Sequence, residues 1–102
     1  FDAFVAVFAH LPPKGRAHMF AAATRALRPG GIAIVELYTP RQLAHATGGP
    51  RELAMLVEPE DLRRELAGLT IERLDECERD VVEGKYHTGR AAVVRALAMR
   101  TT

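Results

Sequence analysis

The chain has 102 residues, room for one domain, and a formal net charge of +1 from 14 Lys and Arg against 13 Asp and Glu. That balance supplies no drive toward nucleic acid or an anionic membrane, and no run reads as a signal peptide or a membrane span. Apolar residues make up 48% and charged residues 26%, which excludes a disordered chain, while the lone Cys77 excludes an internal disulfide and suits a reducing cytoplasm.

Phe1 to Phe8 is almost continuously apolar. A continuous run predicts a strand covered on both faces, as in parallel sheets. The run begins without Met or any polar lead-in, which predicts an N-terminal portion of the domain ahead of it. Ala9-His10-Leu11 forms a short loop, and Pro13 suits the first turn of a helix because its missing N–H is harmless there. That helix is predicted to run to about Leu27. Phe20, Ala23, Ala26 and Leu27 form its apolar stripe, and Arg16, Arg25 and Arg28 fall on the remaining surface. Arg28 precedes Pro29, which stops the helix, and Pro29-Gly30-Gly31 turns the chain.

Ile32 to Tyr38 is a second apolar, β-branched run. A helix between two strands returns the chain to the same end of the sheet, so the two are predicted to be parallel. Residues 39–57 form a long connection marked by Pro40, Gly48, Gly49 and Pro50, with a helical turn expected over Leu53 to Leu56. Connections of that length are often lids or binding loops. Pro59 with Glu58, Glu60 and Asp61 marks a short helix whose Leu62 and Leu66 share a face, with Gly68 suited to its C-cap. Leu69 to Glu78 alternates imperfectly and reads as a half-exposed strand; Arg79 to His87 reads as a charged loop. Gly89 to Met99 is a last apolar strand whose small residues at 91, 92, 96 and 98 suit a central position. No helix separates the final two strands, so they are predicted to pair antiparallel.

The order is strand, helix, strand, helix, strand, strand. A closing antiparallel hairpin departs from a dinucleotide-binding half, whose strands stay parallel. It disfavours a nicotinamide dehydrogenase. The fold class expected is α/β, a Rossmann-like half-sheet with a terminal antiparallel hairpin.

The residues resemble the C-terminal half of the class I S-adenosylmethionine-dependent methyltransferases. Phe1-Asp2-Ala3-Phe4-Val5-Ala6-Val7-Phe8-Ala9-His10-Leu11-Pro12 looks like that family's fourth strand and following loop, and Leu27-Arg28-Pro29-Gly30-Gly31 looks like its turn before the fifth strand. Glu36-Leu37-Tyr38-Thr39-Pro40-Arg41-Gln42-Leu43, Thr47-Gly48-Gly49-Pro50 and the segment from Glu83 to Val94 are similar to a bacterial subgroup near the tellurite-resistance type. The family's glycine-rich loop and ribose-binding acidic residue have no counterpart here. The resemblance therefore implies a portion of a methyltransferase domain lacking the main cofactor-binding half and inactive alone.

Ligands of open α/β sheets sit outside the carboxyl ends of the parallel strands. The resemblance places Val7, Phe8, Ala9 and His10 beside the methionine part of S-adenosylmethionine, with Phe8 as apolar cover. Methyl transfer needs mainly proximity and alignment, and a base only when the acceptor must lose a proton; His10 is the candidate base. Glu36, unusual inside an apolar strand, either faces a small-molecule acceptor or pairs with Arg90 or Arg95. Tyr38 at the strand end, with Tyr86 and His87 in the last connection, completes the acceptor-side candidates. His10, His18, His45 and His87 lack ligand-like spacing, so no metal site is expected. The alternative is a non-catalytic α/β module that binds a partner chain through an exposed N-terminal edge strand.

Overall fold

A computed structural model describes residues 1–7, 11–44, 55–82 and 88–101. Four strands, β1 (Ala3–Val7), β2 (Ile32–Tyr38), β3 (Thr70–Val82) and β4 (Thr88–Met99), form one sheet in the order β1-β2-β4-β3. β1 and β2 are parallel, and β4 is antiparallel to both β2 and β3. β3 therefore runs with β1 and β2, and β4 is the single reversed strand. This is the predicted order and closing hairpin, and β4 takes the central position that its small residues suit: Ala91, Ala92, Ala96 and Ala98 are all buried. The hairpin is longer than expected, because β3 continues through Arg79 to Val82.

Helix α1 (Pro13–Ala26) starts with Pro at its first position and ends where Leu27 turns to extended backbone, one residue ahead of the Arg28-Pro29 stop. Gly30 takes φ 85°, a conformation a side chain strains. At Gly31 an added Cβ would lie 2.9 Å from the Arg28 carbonyl oxygen and 3.1 Å from that of Asp2, so the turn also needs its missing side chain for space. Arg100 closes the helix: its Nη1 donates to the carbonyl oxygens of Thr24 (3.0 Å), Arg25 (3.0 Å) and Leu27 (2.5 Å). A cation there satisfies orphan carbonyls and opposes the negative end of the helix dipole. The Gly30 N–H donates to the Arg100 carbonyl, and the Arg100 N–H donates to that of Gly31.

Helix α2 (Pro59–Glu65) follows a segment that begins with a short 3-10 helix, Pro40–Ala44. The expected turn at Leu53 to Leu56 lies partly outside the described residues. Gly68 is not the cap of α2, whose C-cap is Leu66; an added Cβ at Gly68 would meet Thr24 at 3.1 Å, so its smallness lets the chain after α2 pass close to α1.

One face of the sheet carries the core. Ala33, Val35 and Leu37 of β2, Ala6 of β1 and Val94, Ala96 and Ala98 of β4 pack with Phe20 and Leu27, and with Leu62, Leu66 and Leu69. Phe4 meets Phe20 edge-on, with ring centroids 6.1 Å apart. The imperfect alternation of β3 has a structural cause. A register shift between Ile71 and Arg73 leaves Glu72 as an extra residue, so Ile71 and Leu74, three apart, both face the core opposite Ala98 and Ala96.

The other face corrects the expectation of strands covered on both sides. Val5 is 60% exposed, Val7 45% and Ile34 40%, because among the described residues both helices pack on the opposite face. β1 alternates between the two environments, and it is an edge of the sheet. Two further sequence expectations fail on α1: Ala26 is exposed, and Arg16 is buried.

Candidate ligand site at the carboxyl ends of the parallel strands

β1 and β2 point their carboxyl ends the same way, and their register sets Val7 beside Glu36. These two predicted site residues share the bare face. Phe8, Ala9 and His10, which come after β1 in the sequence, lie outside the described residues, as do Tyr86 and His87. Val82 and Thr88, which flank that last pair, pair at the same end of the sheet, because β3 runs with β2.

Glu36 is buried, and its carboxylate accepts an ion pair from Arg95 Nε at 3.2 Å. Arg95 is its direct neighbour on β4, and Asp75 of β3 stands opposite Arg95. A charge inside an apolar strand is thus balanced by Arg95, one of the two partners the sequence suggested. With Val7, Ile34, Arg73, Cys77 and Leu97 these residues line an open groove of about 560 Å³ on the bare face. Tyr38 is fully buried on this side and packs with Leu56, Ala91 and Val93. It does not line the groove, so the predicted place of Tyr38 on the acceptor side is replaced by a packing role.

The segment after β2 is clamped from three sides, which sequence reasoning missed. Arg41 bridges two elements, with Nη2 on Glu58 at 2.7 Å and Nε on Glu76 of β3. These contacts, chiefly the hydrogen bond to Glu58, hold the guanidinium pKa above its ordinary value. The Thr39 N–H donates to the Ala92 carbonyl at 3.0 Å, and the Ala92 N–H donates to Gln42 Oε1 at 2.9 Å. The buried carboxamide thereby continues the ladder that β2 stops supplying. Gln42→Ala is expected to cost roughly 1–3 kcal/mol, because it strands a buried N–H on the central strand; urea denaturation of both proteins checks this.

Arg16, in the first turns of α1, reaches α2. Its Nε and Nη2 donate to the two carboxylate oxygens of Glu65 at 2.7 and 2.8 Å. Position gives the only sequence signal: Arg16 lies four residues before Phe20, on the stripe that faces inward. Among the described residues no cluster of His, Cys, Asp or Glu can hold a metal ion. No helix among them is long and apolar enough to cross a membrane.

No family model matches the chain, and no curated protein does. Solved structures do. A protein studied for the conversion of a disulfide bond into a thioacetal group during echinomycin biosynthesis matches with a TM-score of 0.72 at 21% identity, over 99% of this chain and 49% of its own. A SAM-dependent methyltransferase from Methanosarcina mazei matches at 0.71 and 17% identity, over 99% of this chain and 59% of that one. TehB from Haemophilus influenzae matches at 0.69 and 11% identity, over 98% and 35%. The fold is therefore the Rossmann-like α/β fold of these solved structures, and the chain spans from about a third to three fifths of their lengths.

Proposed function

We propose that this chain is the C-terminal portion of a domain that transfers a methyl group from S-adenosylmethionine to a small-molecule acceptor. The observation that carries the reading is the reversed central strand β4, inserted between β2 and β3 in a sheet otherwise running one way, within a fold matched by a SAM-dependent methyltransferase structure along almost its whole length. Their greater length, with the bare face and open edge of β1, supports a second half packing there and carrying the glycine-rich loop. The resemblance to the tellurite-resistance subgroup rests on the quoted motifs, and TehB is among the structural matches.

Bound S-adenosylmethionine supplies an electrophilic sulfonium methyl. The half-exposed Val7 at the end of β1 fits the apolar cover such a chain needs, together with Phe8, Ala9 and His10. Recognition of the nucleoside falls to the missing half. His10 is the base for an acceptor that must lose a proton. Glu36, its charge balanced by Arg95, and Tyr86 and His87 are the acceptor-side residues of this reading. Alignment of the two reactants supplies most of the rate.

The unguarded β1 edge also favours a second reading, a non-catalytic module that pairs with another chain. Calorimetry separates the two. The 102-residue chain is expected to show no heat of S-adenosylmethionine binding, and the product of the full reading frame is expected to bind it. Tight binding by the isolated chain would overturn the missing-half account, and no binding by the full product would leave the module.

A further inference from the structure

Val7, Glu36, Arg95 and Asp75 stand in one row across the sheet, each the register partner of the next. The adjacent row is Val5, Ile34, Leu97 and Arg73. Register partners project to the same side of a sheet. Both rows lie on the bare face, and all of these residues except Val5 line its open groove of about 560 Å³. Val7 is the last residue of β1, so the first row sits at the carboxyl end of that strand, where such sheets hold their ligands.

Opposite charges directly across from each other on neighbouring strands ordinarily pair. Arg95 and Asp75 do not. Arg95 turns its Nε to Glu36 at 3.2 Å, and Asp75 Oδ2 accepts from Arg73 Nη2 at 3.2 Å. No hydrogen bond among the described residues uses Arg95 Nη1 or Nη2, or Asp75 Oδ1. Both side chains are 56% exposed and both line the groove, so a ligand reaches them. Val7, Ile34 and Leu97 give the same groove apolar surface.

The charges around the two open groups restrict what fits. A lone carboxylate on Arg95 would meet the carboxylates of Glu36 and Asp75. A lone ammonium on Asp75 would meet the guanidiniums of Arg73 and Arg95. A molecule with both charges on neighbouring atoms avoids each penalty: its carboxylate takes the open edge of Arg95 and its ammonium takes Asp75.

We infer that the methyl acceptor carries an α-amino acid head, bound as the zwitterion between Arg95 and Asp75, with an apolar side chain along Val7, Ile34 and Leu97. The inference deepens the methyltransferase reading and rests on it. The half that packs on this face would close the groove over the acceptor.

The test uses the product of the full reading frame, labelled with ¹⁵N and at its methyl groups, with S-adenosylmethionine at saturation and L-leucine as the probe. L-Leucine is expected to shift the Asp75 and Arg95 amides saturably and to give nuclear Overhauser contacts to the Ile34 and Leu97 methyls. The compound 4-methylpentanoate lacks the ammonium, and 3-methylbutylamine lacks the carboxylate; each is expected to bind about tenfold more weakly. Asp75→Asn, at an exposed position, is expected to weaken L-leucine about tenfold and to erase its advantage over 4-methylpentanoate, with the melting temperature reported alongside. Absence of contacts to Ile34 and Leu97 up to the solubility of L-leucine would overturn the inference and leave water on both charges. Either analogue binding as tightly would overturn the zwitterion, and equal L-leucine affinity in Asp75→Asn would overturn the role of Asp75. Displacement of the cofactor by L-leucine would assign the groove to the cofactor's own amino acid head. The methyltransferase reading fails separately, if calorimetry on the same protein detects no S-adenosylmethionine binding whatever L-leucine does.

Discussion

Glu65→Ala is expected to destabilise the fold by about 3–5 kcal/mol, the cost of leaving a buried guanidinium without its carboxylate. Arg16 has nowhere else to place its charge: its side chain is 4% exposed and that of Glu65 10%, and both short contacts of the guanidinium go to this one group. The neighbouring pair of Arg64 with Asp61 makes the control, since the Arg64 side chain is 71% exposed. Asp61→Ala is expected to cost under about 1 kcal/mol, as solvent-exposed pairs do. Replacing both members of the buried pair, as Arg16→Met with Glu65→Leu, is expected to recover most of the loss, because the penalty belongs to the stranded charge. Urea midpoints of the four proteins measure this. A loss at Glu65 no larger than that at Asp61 would show that Arg16 swings out to water and that the joint between α1 and α2 does not depend on it.

Phe20→Ala is expected to cost about 3–5 kcal/mol, the range for deleting a large buried aromatic. Phe20 is 1% exposed and joins α1 to the sheet through Phe4 and the core residues of β2 and β4. Phe4, on the edge strand and only half-buried, is expected to tolerate the same truncation with a smaller loss. Thermal and urea unfolding of both variants checks the ranking, and an equal loss at Phe4 would mean that β1 carries as much of the core as β2.

The order of elements was legible because each boundary has a local chemical cause: Pro13 opens α1, Arg28-Pro29 closes it, and the alanines of β4 announce a crowded centre. That Glu36 needs a cation was legible because a carboxylate in an apolar strand must find one; the sequence left Arg90 and Arg95 open, and the register of β4 set Arg95 beside it. What escaped depends on contacts between distant parts of the chain. Arg16 has the sequence character of a surface residue, and only the arrival of α2 with Glu65 makes it an inside one. Gln42 looks like any loop residue until β4 presents the N–H of Ala92. The run from Phe1 to Phe8 has the composition of a strand enclosed on both sides, yet only one side of β1 meets a helix among the described residues. Composition records what a strand is fit to touch, and Val5 and Val7 retain that fitness where nothing described here covers them.

The hold of Arg100 on the end of α1 links the first crossover to the residue just beyond the closing strand. The carbonyls of Thr24, Arg25 and Leu27 and the Gly30-Gly31 turn all wait for a residue some seventy positions downstream. On the ribosome the helix can coil early, but its final turn stays frayed until the closing strand emerges and threads between its neighbours. Closing this region therefore joins residues far apart in the chain, a contact of high sequence separation, and losing Arg100 would release the end of α1 together with the Gly30-Gly31 turn.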